Sequence, residues 1–334
     1  MTSPRYAAIT GWGMAVPRRV VTNAELASSI DTSDEWIRTR TGIAQRHVAG
    51  PGEHTSALAT AAGREALARA GVEPASVDTV IVATCTPDRP FPATACTVQQ
   101  NLGIPRAGAF DLAAACSGFV YGISVGSGLI KGGMSRTLLL IAADVFTHLI
   151  DWQDRNTCVL FGDGAGAVVL QAADKPLGLL SSNIGSWGEG ETLMAVDAGG
   201  TLLPATPALL EQRRQYVYMH GREIFKHAVR GMCESSEQAV ADAGVSLDEI
   251  RLVVPHQANV RIIEAVAKRL EIPMERCYIN LDRYGNTSAA SVPIALYEAA
   301  EGGRIAPGDL VLLTAFGGGL TWGSAVVRWG GPGA

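Results

Sequence analysis

DLAAACSGFVYGISVGSGLIK, residues 111–131, decides how the rest of the chain is read. The apolar run 107–112 predicts a buried strand, and 117–130 predicts an apolar helix buried on most sides. Between them stands Cys116, preceded by three alanines and followed by Ser117-Gly118. A sulfur at the start of a helix meets unpaired N–H groups and a partial positive charge. Both favour thiolate, which predicts a pKa for Cys116 below the free value of about 8.5. The small neighbours leave room for a reactant. A cysteine that merely fills space between strand and helix fits the same stretch, so both readings stay open on these residues alone.

Working outward, strands and helices alternate. Tyr6 to Trp12 reads as a strand stopped by Gly13 and Pro17. Thr22-Asn23 is a helix-capping signal, Thr32 to Ile43 reads as a short capped helix and turn, and His54 to Gly71 as an alanine-rich helix with a glycine stop. Val77 to Thr86 and Thr137 to Ala143 read as buried strands, with a helix from Ala93 to Leu102 between them. Farther on, Gly221 to Ala243 and Asn259 to Leu270 read as helices, and Ile250 to Pro255 as a strand that ends at His256.

A repeat is visible. Ala70-Gly71-Val72 and Ala243-Gly244-Val245 lie 173 residues apart, and so do the apolar strands that begin at Thr137 and Leu310. This predicts two similar α/β halves, 1–172 and 173–334, each with a largely parallel, covered sheet. A site between such halves is the natural place for chemistry. At the same offset, Cys116 corresponds to Ala289, three residues from Asn286, and His256 corresponds to Ala83 at a strand end. Cys116, His256 and Asn286 are thereby expected at strand or helix ends facing one interface.

Composition narrows the class. The 334 residues are 47% hydrophobic and 18% charged, which describes a globular chain. A net charge of −5 offers no basic field for nucleic acid. No apolar run reaches the roughly 20 residues of a membrane span. The first residues lack the pattern of a signal peptide. Six scattered cysteines without a CxxC spacing point to reduced thiols in a cytoplasm. His47, His54, His148, His220 and His227 show no ligand spacing, so no metal is expected. FGDGAGAVVL, residues 161–170, lacks the GxGxxG spacing of a phosphate loop and is read as close strand packing.

Several long motifs in order carry a resemblance: SDEWIRTRTGI, ACSGF around Cys116, FGDGAGAVVL, VPHQANVRII, YGNTSAAS and AFGGGLTWGSA. Over nearly its whole length the chain resembles the β-ketoacyl-acyl carrier protein synthase III family of the thiolase superfamily. The resemblance implies a duplicated α/β unit in five layers, α-β-α-β-α, in a homodimer. It implies decarboxylative condensation of a short acyl-CoA primer, such as acetyl-CoA, with malonyl-acyl carrier protein, without cofactor or metal. The catalytic set maps onto Cys116, His256 and Asn286, with the N–H groups of Cys116 and Gly318 as oxyanion hole. The chemistry fits these types: a thiolate can hold and release an acyl group, and two hydrogen-bond donors can meet a developing enolate.

The same resemblance implies coenzyme A contacts at Trp36, Arg40, Thr41 and Arg155. It places Gly221, Phe225 and Asn259 along the pantetheine tunnel, and Phe91 across the dimer interface at the partner's acyl pocket. Phe91, Leu149, Phe161, Leu193 and Leu202 are expected to shape that pocket. Trp36 and Phe225 would also serve as ordinary packing anchors, and Arg155 as a simple ion-pair partner. Arg261, Lys268 and Arg269 share one helix face, near Lys226 in the family arrangement, and are expected to dock the acidic carrier; an ordinary solvated face has the same pattern. His220 departs from the asparagine common in relatives, with either altered acyl choice or a local hydrogen bond as its consequence. Alternatives are a pathway-specific synthase making a polyketide or alkylquinolone-type starter, and a non-catalytic acyl-CoA binding module.

Overall fold

Two groups of strands, packed on either side of a pair of helices, organise the chain. The computed structural model describes residues 6–331; residues 1–5, which open the stretch read for a signal peptide, and 332–334 lie outside it. The first group is β1 (Tyr6–Ala15), β2 (Thr79–Ala83), β3 (Gly108–Leu112), β4 (Thr137–Asp144) and β5 (Gly164–Ala173), in the spatial order β1-β5-β4-β2-β3. The second is β6 (Gly178–Ser186), β7 (Ile250–Pro255), β8 (Leu310–Gly317) and β9 (Thr321–Arg328), in the order β6-β9-β8-β7. A pairing of Ala7 with Gly178 joins β1 to β6.

The sheets are mixed, where a largely parallel arrangement was expected. β2 pairs in parallel with β3 and β4, and β7 with β8. β5 runs antiparallel to β1 and β4, and β9 antiparallel to β8 and β6. Only residues 318–320 separate β8 from β9, and so short a link cannot make a parallel crossover. β3 also departs from expectation. It is the outer strand of its group, and Phe110 on it is exposed. β1 continues through Gly13 to Ala15, because that glycine marks a close approach and not a stop: a Cβ there would lie 2.2 Å from the Ala62 carbonyl.

Helices surround these sheets, among them α1 (Asp34–Thr41), α2 (Thr55–Ala70), α3 (Gly118–Lys131), α4 (Gly221–Asp242), α5 (Val260–Arg269) and α6 (Ser291–Glu301), with the short helix Thr94–Asn101 against β2 and β3. α2 lies on the outer face of the first group, where its carbonyls approach Gly11 and Gly13. α4 lies on the outer face of the second, with Ser235 and Ser236 bonded to Ser324 of β9. α3 and α6 fill the space between. Ile9, Leu140 and Leu170 from one group and Val254, Leu313 and Val327 from the other share one buried cluster with Phe119 and Val292 of these helices. The layers are thus helix, sheet, helix pair, sheet, helix, which is the five-layer thiolase-like fold.

The 173-residue offset recurs in the elements. β4 and β8 begin at 137 and 310, α3 and α6 at 118 and 291, and each of these helices follows a single 3-10 turn, Ala115–Ser117 or Ser288–Ala290. These paired turns bring the two halves' strand ends together at the centre of the molecule.

Candidate active site

Cys116 lies in the first of those turns. Ala115 before it has φ +45°, and the corresponding Ser288 has φ +52°, so both halves build a sharp bend at this place. Left-handed backbone is costly for a residue with a side chain and persists where surrounding packing enforces it. The bend turns Cys116 into the interior. Its sulfur is buried and lies 3.6 Å from the Ser288 hydroxyl. Burial pushes the thiol up to about 12, against the expected lowering. Desolvation outweighs the Ser288 contact and the cysteine's own N–H, both of which favour the thiolate.

The two turns differ in one respect that bears on catalysis. In the second, the Ala289 N–H donates to Asp144 Oδ2 at 3.2 Å. The residue 173 positions after Asp144 is Gly317, and a Cβ there would lie 2.6 Å from the Cys116 nitrogen. Where one half caps its N–H with a carboxylate, the other has a bare glycine, and the Cys116 N–H is left for another acceptor. A Cβ on Gly318 would meet only ordinary contacts, the nearest at 3.5 Å.

His256 follows the last residue of β7, and its N–H donates to the Thr314 carbonyl at 2.8 Å. Nδ1 lies 2.6 Å from the Ser291 hydroxyl at the start of α6. Burial drives the imidazole down to about 3, so it is neutral at ordinary pH. Asn286 is held through its backbone to Leu160 and Gly162. Its Oδ1 accepts from the Ser288 N–H at 2.9 Å, which leaves the NH2 end as a free donor.

Cys116, His256, Asn286 and Gly318 line one cavity of about 880 Å³. Arg40, Thr41, Gly221, Phe225, Lys226, Asn259 and Arg261 line it as well. A second cavity of about 770 Å³ meets the first at Cys116, Met194 and Gly318, and includes Cys85, Thr86 and Leu149. Trp36 lies beside the first cavity, with the Arg40 and Arg155 guanidinium groups 4.8 and 4.9 Å from its ring centroid. Arg155 also donates to the Asp31 carbonyl at 2.8 Å. Asn259 caps α5 and donates to the Arg40 carbonyl at 3.1 Å, tying α5 to α1.

The remaining expected residues are placed unevenly, some at the cavity and some away from it. Lys268 and Arg269 end α5, away from the cavity, and Arg269 lies 3.8 Å from Glu234. Lys226 is engaged with Glu223 at 3.3 Å. Phe91 is 85% exposed and lines neither cavity. Phe161 lines the first cavity and not the second. Leu193 and Leu202 line neither, and Leu202 is 96% exposed. Met194 stands at the junction in their place, because the segment folds back as a short antiparallel pair, 194–196 with 217–219. His220 is exposed, meets Tyr218 edge-on at 6.0 Å and lines neither cavity.

Sequence reasoning missed Ser288, Ser291, Gly317 and Met194. The offset could have found Ser288 and Gly317, as partners of Ala115 and Asp144. For Met194 no local signal existed. Among the described residues, no group of three or more His, Cys, Asp or Glu side chains is placed to hold a metal. No helix among them is long and apolar enough to cross a membrane.

Comparison with known proteins adds to this geometry. Residues 110–188 match the model for 3-oxoacyl-[acyl-carrier-protein] synthase III, and residues 240–329 the model for its C-terminal part. The chain is 70% identical to a beta-ketoacyl-[acyl-carrier-protein] synthase III of Roseiflexus sp. (strain RS-1), over 97% of this chain and 98% of that protein. The structure resembles 3-oxoacyl-[acyl-carrier-protein] synthase III from Aquifex aeolicus VF5, with a TM-score of 0.90 and 45% identity over 97% of this chain and 100% of that one. It also resembles the priming β-ketosynthase of the R1128 polyketide biosynthetic pathway, with a TM-score of 0.92 and 34% identity over 99% and 98%.

Proposed function

Because the chain belongs to the β-ketoacyl-[acyl-carrier-protein] synthase III family, we propose that Cys116, His256 and Asn286 carry out its reaction, with the Cys116 and Gly318 N–H groups as oxyanion hole. The enzyme is an acyltransferase of the condensing type. It joins an acyl-CoA to malonyl-acyl carrier protein and so starts fatty acid synthesis. One observation carries the assignment of residues: a buried thiol and two neutral side chains with defined hydrogen bonds line a single cavity.

Acyl-CoA enters through the larger cavity, with coenzyme A along Arg40, Thr41, Gly221, Phe225 and Asn259. Trp36 and Arg155 hold the nucleotide end, where the Arg40 and Arg155 guanidinium groups lie over the Trp36 ring. The Cys116 sulfur bonds to the carbonyl carbon, the C–S bond to coenzyme A breaks, and the cysteine's proton leaves with the coenzyme A thiol. The acyl chain then occupies the smaller cavity. Malonyl-carrier protein follows. Its C–C bond breaks, carbon dioxide departs, and the electron pair moves onto the thioester oxygen. The Asn286 NH2 and a His256 ring N–H donate to that oxygen. The enolate carbon attacks the acyl carbonyl, the Cys116 thiolate leaves and takes a proton from water, and 3-oxoacyl-carrier protein is released.

The primer is a short acyl group, acetyl or similar. Lys226 and Arg261 at the rim meet the acidic carrier, with Lys268 and Arg269 farther along α5. Two copies pair to bring Phe91 to the partner's acyl pocket; its exposure and the outer position of β3 support this. The repeated elements favour reading 1–172 as the half that carries Cys116 and 173–334 as the half that carries His256 and Asn286. No cofactor or metal takes part, and six free thiols fit a cytoplasmic setting. The likeness to a polyketide priming enzyme keeps one alternative, a pathway-specific starter synthase.

The test is intact-protein mass spectrometry with acyl-CoAs from acetyl to decanoyl, straight and branched, followed by malonyl-carrier protein. A short acyl adduct on Cys116, discharged by malonyl-carrier protein, is expected; preference for a long or unusual group would move the enzyme to the starter pathway. Asn286→Ala is expected to keep acylation and lower malonyl decarboxylation on the order of 10²–10³-fold. Decarboxylation at the wild-type rate in that variant would remove Asn286 from its role.

A further inference from the structure

The donor role of His256 depends on which ring nitrogen bears its single proton. The imidazole is neutral and buried, so it has one N–H and one bare nitrogen. Its Nδ1 faces the Ser291 hydroxyl at 2.6 Å. The direction of that bond follows from the neighbours. The Ser291 oxygen already accepts from the Gln257 N–H at 3.3 Å. No other acceptor for the Ser291 proton is within hydrogen-bond reach among the described residues. Ser291 is buried, so solvent supplies none either. The hydroxyl therefore donates to Nδ1.

The frame around this bond is stiff. Gln257 is pinned by its own amide, which donates to the carbonyls of Pro255 and Tyr278 and accepts from the Asn280 N–H. Ser291 opens α6, and the His256 backbone is fixed to β8 through Thr314. Neither partner has freedom to turn away.

We propose that Ser291 is a positioning residue that sets the tautomer of His256. By donating to Nδ1 it places the proton on Nε2, the one ring nitrogen left to face the cavity. Its mirror residue, 173 positions earlier, is Gly118, which has no hydroxyl, so the device belongs to one half only. The inference rests on the assignment of His256 as an enolate donor. Without Ser291 the two neutral tautomers compete, and the Nδ1–H form turns a lone pair toward the developing negative charge.

The experiment compares wild type, Ser291→Ala, Ser291→Thr and His256→Ala. Three quantities are read: acylation of Cys116 by acetyl-CoA, decarboxylation of malonyl-carrier protein, and nitrogen-15 spectra of labelled histidine. In the wild type, His256 is expected to show a protonated Nε2 and a bare Nδ1 between pH 6 and 8. Ser291→Ala is expected to lower decarboxylation roughly 10- to 100-fold, by analogy with the loss of a partner that orients a metal-ligating histidine. Acylation is expected to change less than threefold, and Ser291→Thr to restore decarboxylation. A proton on Nδ1 in the wild type would overturn the proposal, whether or not the variants fold. So would wild-type decarboxylation in Ser291→Ala where His256→Ala abolishes it. Wild-type decarboxylation in His256→Ala would instead remove the donor role itself.

Discussion

At the scale of single residues, the proposed site holds groups kept neutral by burial. Cys116 is held as a thiol near 12 and His256 as a neutral ring near 3, and both shifts have desolvation as their first cause. The cysteine is therefore not stored as a reactive anion; its proton is lost only as a thioester arrives and its sulfur bonds. This carries a sign that can be checked. Thiolate is the alkylating species, and with a pKa near 12 its fraction grows about tenfold per pH unit across the whole working range. Alkylation of Cys116 by iodoacetamide, followed by mass spectrometry, is expected to accelerate about tenfold per unit from pH 7 to pH 10. A plateau beginning below pH 8 would mean that the helix start stabilises the thiolate after all. That Cys116, His256 and Asn286 share one cavity was legible from their places at strand and helix ends. Their protonation states were not, because they depend on water excluded by segments as distant as Met194 and Phe316.

At the scale of elements, α3 shows how glycine spacing sets the depth of the site. Gly118, Gly122 and Gly126 recur every four residues and so share one face. A Cβ on Gly122 would lie 2.4 Å from Leu140 Cδ1, and one on Gly126 would lie 3.1 Å from Leu170 Cδ1. That face lets the helix sit low on the first sheet and carry the Cys116 turn with it. Gly128, on the exposed side, has nothing within 4 Å. Two substitutions in one helix should then differ in sign. Gly128→Ala is expected to stabilise by about 0.5–1 kcal/mol through helix propensity alone. Gly122→Ala gains the same propensity but forces a fully buried leucine to move, which costs about 1–3 kcal/mol, so the net effect is destabilising. Urea unfolding midpoints of the two variants decide it, and equal shifts would mean that the close packing carries no energy. The existence of this helix was plain from its apolar run. Its depth was not, since a glycine in a sequence does not say what approaches it.

For the whole molecule, duplication explains both the site and its asymmetry. Two halves with the same turn meet back to back, and each brings one bend with positive φ to the centre. One bend holds Cys116 against a bare glycine, and the other holds Ala289 under the Asp144 carboxylate. The two bends are thus not equivalent, and only the first sets a thiol against a bare glycine. The outer strand β3 and the exposed Phe91 leave the assembly open at one edge. An unpaired edge of this kind invites a second copy. Sedimentation velocity is expected to give a dimer for the wild type. Phe110→Lys is expected to shift it toward monomer, with loss of Cys116 acylation as the second cavity loses its cover. A monomeric wild type with full activity would overturn the dimer.

The sequence by itself determined most of the elements, the 173-residue repeat and the family, and it singled out the three side chains proposed as the catalytic set. These follow from local periodicity, turn chemistry and motif order, which each segment carries without its neighbours. Tertiary structure decided that the sheets are mixed, that β3 lies at an edge, that Gly317 is crowded against the Cys116 nitrogen, and that burial favours the Cys116 thiol. It also decided that Ser291 faces His256 and that Lys268 and Arg269 stand away from the cavity. Each of these is a matter of who comes near whom and how much water remains between them. Such quantities are sums over residues far apart in the chain, and they take a value only when the chain is folded.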